Sequence, residues 1–123
     1  MVEEDRSQPT GDQAGSAGPD VRVEVSGPTE APLVTVTGEL DVATSPRLRR
    51  ELDDAVDAGA RDVRVDLSRV GFMDSSGLGA LMAVHHRLQG IDGRITIVGA
   101  TPPVRKILEI TALDEVFVLA PER

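Results

Sequence analysis

Cysteine, tryptophan and tyrosine are missing altogether, and two phenylalanines are the only aromatic side chains besides histidine in 123 residues. The lack of cysteine excludes disulfides, thiolate metal sites and a thiol nucleophile. With aromatics at 2%, a single-stranded nucleic acid finds no platform on which to stack. Cations are also in the minority. Against 21 Asp and Glu stand 13 Lys and Arg, which leaves a net charge of -8 and a pI near 4.6. Such a surface repels phosphate backbones and anionic membranes. No apolar run approaches the roughly 20 residues that a membrane helix needs. The acidic start, Met1-Val2-Glu3-Glu4-Asp5-Arg6, has neither the basic nor the apolar region of a signal peptide. A soluble cytoplasmic protein is expected, with no nucleic-acid or membrane partner.

What is present is aliphatic. Hydrophobic residues make up 40% of the chain, enough for one core and too few residues for two domains. They are unevenly spread. Residues 1–20 hold Gly, Ser, Pro and Gln with almost nothing to bury, and their charges sum to -4, half of the total. A segment of this kind cannot offset its ordering entropy, so a disordered acidic tail is expected over 1–20 and a folded domain over 21–120.

From Val21 the chain becomes patterned. Val21, Val23 and Val25 alternate with Arg22 and Glu24, which predicts a strand ending at Gly27-Pro28. Leu33 to Leu40 predicts a second strand, joined to the first as an antiparallel hairpin. Ser45-Pro46 predicts a helix start, with Ser45 as N-cap, Pro46 in first position and Leu48, Leu52, Ala55 and Val56 on the buried face. Val63, Val65 and Leu67 predict a third strand with a single apolar face. A second helix follows from Ser75-Ser76-Gly77, with Leu78, Leu81, Met82, His85 and Leu88 along one side. Ile95 to Val98 predicts a fourth strand and Pro102-Pro103 a third helix. Val116 to Leu119 is left as a closing strand or extended piece. The fold class is therefore α/β, a mixed sheet of four or five strands with helices mainly on one face. Strands separated by a helix should run parallel.

One segment does not look like packing alone: Phe72-Met73-Asp74-Ser75-Ser76-Gly77-Leu78-Gly79, placed in the turn from third strand to second helix. The carboxyl ends of parallel strands are where sites assemble in open α/β sheets. The end of the second strand, Gly38-Glu39-Leu40-Asp41, should share that edge. Ser75 or Ser76 could simply cap the helix, and Asp41 could simply hold a turn. Gly77 and Gly79 weaken a helix by roughly 1 kcal/mol each relative to Ala, so close packing or close approach of a partner must compensate. Catalytic readings fare worse. A nucleophile elbow needs Gly where Met73 stands. His85 and His86 lie two to three turns beyond Ser75 and point about 100° apart, which suits neither a base nor a metal pair. Gly77-Leu78-Gly79 lacks the third glycine of a dinucleotide fingerprint. No catalytic residue, metal or cofactor is assigned.

Taken whole, Asp74-Ser75-Ser76-Gly77-Leu78-Gly79 after a Val-rich strand resembles the signature of STAS domains, specifically the bacterial anti-sigma factor antagonists. Gly38-Glu39-Leu40-Asp41 is similar to their strand-end motif, and Pro103-Val104-Arg105-Lys106-Ile107-Leu108 with Thr111-Ala112-Leu113 is similar to their third helix. The resemblance runs from Val21 to about Leu119. It implies a regulator of transcription, of the kind used in stress responses, that binds an anti-sigma factor of serine-kinase fold and so releases a sigma factor. It implies phosphorylation of Ser75 as the off state, a phosphatase to reverse it, and Asp41, Asp74, Ser76, Gly77, Leu78 and Gly79 as partner-binding residues. A monomer is expected. Two other uses of this fold stay open: a subunit of a lipid or anion transport complex, and a nucleotide-binding domain. The apolar run Ala80 to Val84 is either partner contact or core.

Overall fold

In the computed structural model, which describes residues 21–121, the chain forms β1 (Val21–Ser26), β2 (Leu33–Leu40), α1 (Ser45–Asp57), β3 (Asp62–Met73), α2 (Ser75–Gln89), β4 (Arg94–Val98), α3 (Pro102–Ile110), a short 3-10 turn (Leu113–Glu115) and β5 (Val118–Ala120). The tail expected over 1–20 lies outside the described residues. The five strands pair in chain order, β1-β2-β3-β4-β5. β1 and β2 form the antiparallel hairpin, and every later pair is parallel. The closing strand is real, although it begins at Val118 rather than Val116 because Leu113–Glu115 makes a helical turn first.

Alternation decides which way the sheet faces. Val23, Val34, Val36, Val63, Val65, Leu67, Ile95 and Ile97 point into one core with Leu48, Leu52 and Val56 of α1, Leu81, Val84 and Leu88 of α2, and Val104 and Leu108 of α3. The other face carries Leu33, Arg64, Asp66, Thr96 and Val98 and has no helix on it among the described residues. Val25 keeps the alternation but lies 47% exposed at the edge, beyond the reach of the helices. On α2 the buried stripe runs through Val84 rather than His85. The run Ala80 to Val84 is therefore mostly core, with Ala80, Leu81 and Val84 all buried.

β3 is longer than its alternation suggests. Against β2 it gains one residue between Thr35 and Thr37, and a second between Gly38 and Glu39. Each bulge shifts the inward phase, so the buried positions pass from Leu67 to Val70 to Met73. Gly38, at the second irregularity, takes φ +124°, a conformation open to glycine and strained for other residues. Phe72 and Met73 thus belong to the strand, not to the turn. The turn is Asp74 alone.

Candidate functional site

The two parallel strands β2 and β3 finish side by side, with Leu40 opposite Met73. The pairing continues one step further, since the N–H of Asp74 donates to the carbonyl of Leu40 at 3.0 Å. Asp41 and Asp74 are therefore the first residues past two adjacent strand ends, on one edge of the sheet. This is the juxtaposition expected of the Asp41 and Ser75 motifs.

The first aspartate holds the turn into a helix, and the second caps one. Asp74, not a serine, is the N-cap of α2: its backbone is extended and its carboxylate accepts the N–H of Ser76 at 2.8 Å. Aspartate suits this position because the first helical N–H groups have no partner within the helix. With the cap supplied by Asp74, Ser75 and Ser76 become the first two helical residues. Ser75 is exposed and Ser76 half-buried. Among the described residues, neither hydroxyl makes a capping hydrogen bond.

At α1 the expected Ser45 cap is likewise displaced. Thr44 is the N-cap, and its side chain makes no capping bond. The carboxylate of Asp41 instead fixes the turn that leads into α1, accepting the N–H groups of Ala43 at 2.9 Å and Thr44 at 3.0 Å, while the Asp41 carbonyl accepts the N–H of Ser45 at 2.9 Å. The Thr44 hydroxyl accepts the N–H of Asp41 at 2.9 Å and donates to the carbonyl of Glu39 at 2.6 Å, closing the turn. The N–H of Thr44 first, then that of Ala43, holds the Asp41 carboxyl below its ordinary range. Asp41 is consequently ionised and fixed, rather than a loose solvated carboxylate.

The glycines divide. A Cβ on Gly77 would stand 2.6 Å from Met73 Cγ and 3.1 Å from Leu40 Cβ, so only glycine lets α2 start this close to both strand ends. A Cβ on Gly79 would meet nothing within 4 Å, and that residue is exposed. Leu78 is buried in the core. Of the six residues expected to meet a partner, Asp41, Asp74, Ser76 and Gly79 reach the surface around Ser75, whereas Gly77 and Leu78 seat the helix beneath it.

The structure adds residues that the motifs did not indicate. Between the starts of α1 and α2 runs an open groove of about 330 Å³ lined by Val42, Ser45, Pro46, Arg49, Ser76 and Ala80. Apart from Val42, in the turn before α1, its walls are residues three or four apart on two helices, a spacing visible in the sequence, but which faces oppose each other is settled only by packing. Farther along the same pair of helices, Arg87 bridges Asp53 at 3.0 Å and Asp57 at 2.8 Å. His85 packs edge-on against Phe117, 5.5 Å between ring centres, and burial, followed by the nearby His86, pushes its pKa down. Ten residues after Ser75, it lies about 15 Å along the helix. Among the described residues no group of three or more His, Asp or Glu could hold a metal ion, and no helix is long and apolar enough to cross a membrane.

The strand-end edge thus presents an exposed hydroxyl at the first position of a helix, beside two fixed carboxylates. Comparisons with known proteins give it a family. Residues 20–120 match the family described as Mlab, STAS domain. The anti-sigma-B factor antagonist of Staphylococcus aureus (strain NCTC 8325 / PS 47) is 37% identical over 84 residues, 68% of this chain and 78% of that protein. A solved anti-sigma factor antagonist from Mycobacterium paratuberculosis has a TM-score of 0.75 at 30% identity, covering 82% of this chain and 86% of that one. The anti-sigma factor antagonist SpoIIAA in its unphosphorylated form has a TM-score of 0.72 at 25% identity, covering 80% and 88%. The chain belongs to the STAS domain family, among its anti-sigma factor antagonists.

Proposed function

We propose that this chain binds an anti-sigma factor through the edge formed by Asp41, Asp74, Ser76 and Gly79, and that phosphorylation of Ser75 ends the complex. The observation that carries the reading is the position of Ser75: exposed, first in α2, with its hydroxyl free of capping and a side-chain-free Gly79 one turn away. The names of the relatives supply the partner, and a structure of SpoIIAA described as unphosphorylated supplies the modification. In this reading the anti-sigma factor is the serine kinase and a phosphatase resets the switch. The chain acts as a cytoplasmic monomer and catalyses nothing itself.

The physics of the switch is local. A phosphate brings roughly -1.5 to -2 charges. The dipole at the start of α2 stabilises it where it stands, so the fold survives. A partner pressed against this edge has to desolvate that charge beside Asp74. A loss of about 3 kcal/mol in binding is already more than a hundredfold in affinity.

The test uses the purified anti-sigma factor of the organism that encodes this chain. With ATP, mass spectrometry should place phosphate on Ser75. Titration should show tight binding by the unmodified chain and by Ser75→Ala, and weak binding by the phosphoprotein and by Ser75→Asp. Phosphate on Ser76 alone, or undiminished binding by the phosphoprotein, would overturn the reading.

A further inference from the structure

Thr44 is the N-cap of α1, yet its hydroxyl makes no capping bond there. A threonine in this position usually accepts an N–H from the first turn of its own helix. Here the side chain is buried and turns back to the end of β2 instead. Its one hydroxyl hydrogen goes to the Glu39 carbonyl at 2.6 Å, far nearer than the Asp41 carboxylate at 3.2 Å. Its oxygen accepts the N–H of Asp41 at 2.9 Å. That N–H belongs to the same planar peptide group as the Leu40 carbonyl, which accepts the N–H of Asp74 at 3.0 Å. One peptide plane is thus held at both ends, by Thr44 on one side and by the cap residue of α2 on the other. Ser75 is the next residue. Hydrogen bonds joined in a chain of this kind polarise and strengthen one another.

We infer that Thr44 is a positioning residue for the partner-binding edge, setting Asp41 and Asp74 relative to each other through the Leu40–Asp41 peptide. The inference rests on the edge proposed above and names what keeps its two halves in register. Being buried, Thr44 acts through those two residues and not by contact with the partner. Without its hydroxyl the Glu39 carbonyl and the Asp41 N–H both lose their bond to it, and the peptide plane between the two helix starts is held from one side only. A matched hydroxyl isolates the effect. Thr101, the N-cap of α3, also leaves its own helix uncapped and donates to a strand carbonyl, that of Val70, at 2.6 Å. It makes no hydrogen bond to Asp41 or Asp74.

The experiment compares Thr44→Val, Thr44→Ser, Thr101→Val and Asp41→Ala with wild type by circular dichroism melts, amide spectra and titration of the purified anti-sigma factor. Valine keeps the volume and removes the hydroxyl, and Thr44→Ala takes its place if the melts show Thr44→Val unfolded. Thr44→Val should shift the amides of Asp74 and Ser75, one strand away, and weaken binding about fivefold or more. Thr44→Ser keeps the hydroxyl, so it should leave those amides in place and bind within about twofold of wild type. Thr101→Val should lose stability as Thr44→Val does, yet also bind within about twofold. Unmoved Asp74 and Ser75 amides in Thr44→Val would overturn the inference. So would equal losses of affinity in Thr44→Val and Thr101→Val, which would reduce the effect to stability. Weak binding by Asp41→Ala beside wild-type affinity in Thr44→Val would overturn it too, and leave the proposed edge standing. No binding by wild type would overturn the proposed partner, and the amide shifts, which need none, would still decide what Thr44 holds.

Discussion

The N–H of Asp74 donates to the carbonyl of Leu40 at 3.0 Å, one residue beyond the last paired positions of β2 and β3. Two strands that could have diverged are fastened together at the point where both helices begin. Whatever Asp41 does to α1 is therefore felt beside Ser75, within one short stretch of backbone.

The two early glycines of α2 should respond in opposite directions to the same substitution. Gly77→Ala drives a methyl into Met73 and Leu40 and should cost about 1–3 kcal/mol, as overpacking does. Gly79→Ala meets nothing and should stabilise by about 0.5–1 kcal/mol through helix propensity. Urea unfolding of both variants decides it. Equal effects would mean that the spacing of α2 over the strand ends is not what holds Gly77.

Asp41 should matter to stability in a pH-dependent way. Its folded pKa lies below the ordinary 3.8, so the ionised form is the one that the folded turn prefers. The contribution is complete above the unfolded value and disappears as pH falls through the lower folded one. Asp41→Asn should therefore melt below wild type near neutral pH, with the gap closing beneath about pH 4. Thermal melts across that range test it. A gap that persists in acid would assign the loss to the shape of the side chain and not to its charge.

Phosphate on Ser75 should leave the fold in place. In amide spectra of the phosphoprotein, shifts should be confined to Asp74–Gly79 and the neighbouring Asp41–Thr44 turn, with the melting temperature unchanged or slightly raised. Widespread shifts across β4 and α3 would show instead that the switch works by rearrangement.

Arg87 should act as a screened strap. Its two ion pairs tie α2 to α1, but Arg87 is 39% exposed and Asp57 66% exposed. Arg87→Met should lower the melting temperature at low salt, and the difference should vanish near 1 M salt, where the Debye length is about 3 Å. A difference that survives high salt would be due to packing of the arginine stem.

Much of this was legible from residue order. Leu33 to Leu40 announced β2 to the residue, since its alternation is uninterrupted and a glycine-proline turn precedes it. The Asp-Ser-Ser-Gly segment was legible because two glycines and two serines in a helix start are poor helix makers and call for another reason. The second half of β3 was not, because two bulges break the period by which a strand is recognised. The caps were misplaced for a related reason. Ser45 and the Ser75-Ser76 pair have the right chemistry, but the chain places Thr44 at the N-cap of α1, in a turn held by Asp41, and Asp74 at the N-cap of α2. Local propensity ranks Ser and Asp alike, and only the strand ends decide between them. The groove was illegible in principle, since it depends on which faces of α1 and α2 meet.

Strand order has a consequence for how this site comes into being. Because neighbours in the sheet are neighbours in the chain, both halves of the edge come from one contiguous piece, β2-α1-β3 and the start of α2. Ser75, Asp41 and the groove are all set once that piece has folded, and no distant segment has to arrive. β1 and β5 sit on the outer rims and supply none of its residues, although β1 pairs with β2 along its length and sends Val23 into the core. Their outer edges can thus fuse to other domains or gain new contacts while the switch between them keeps its geometry.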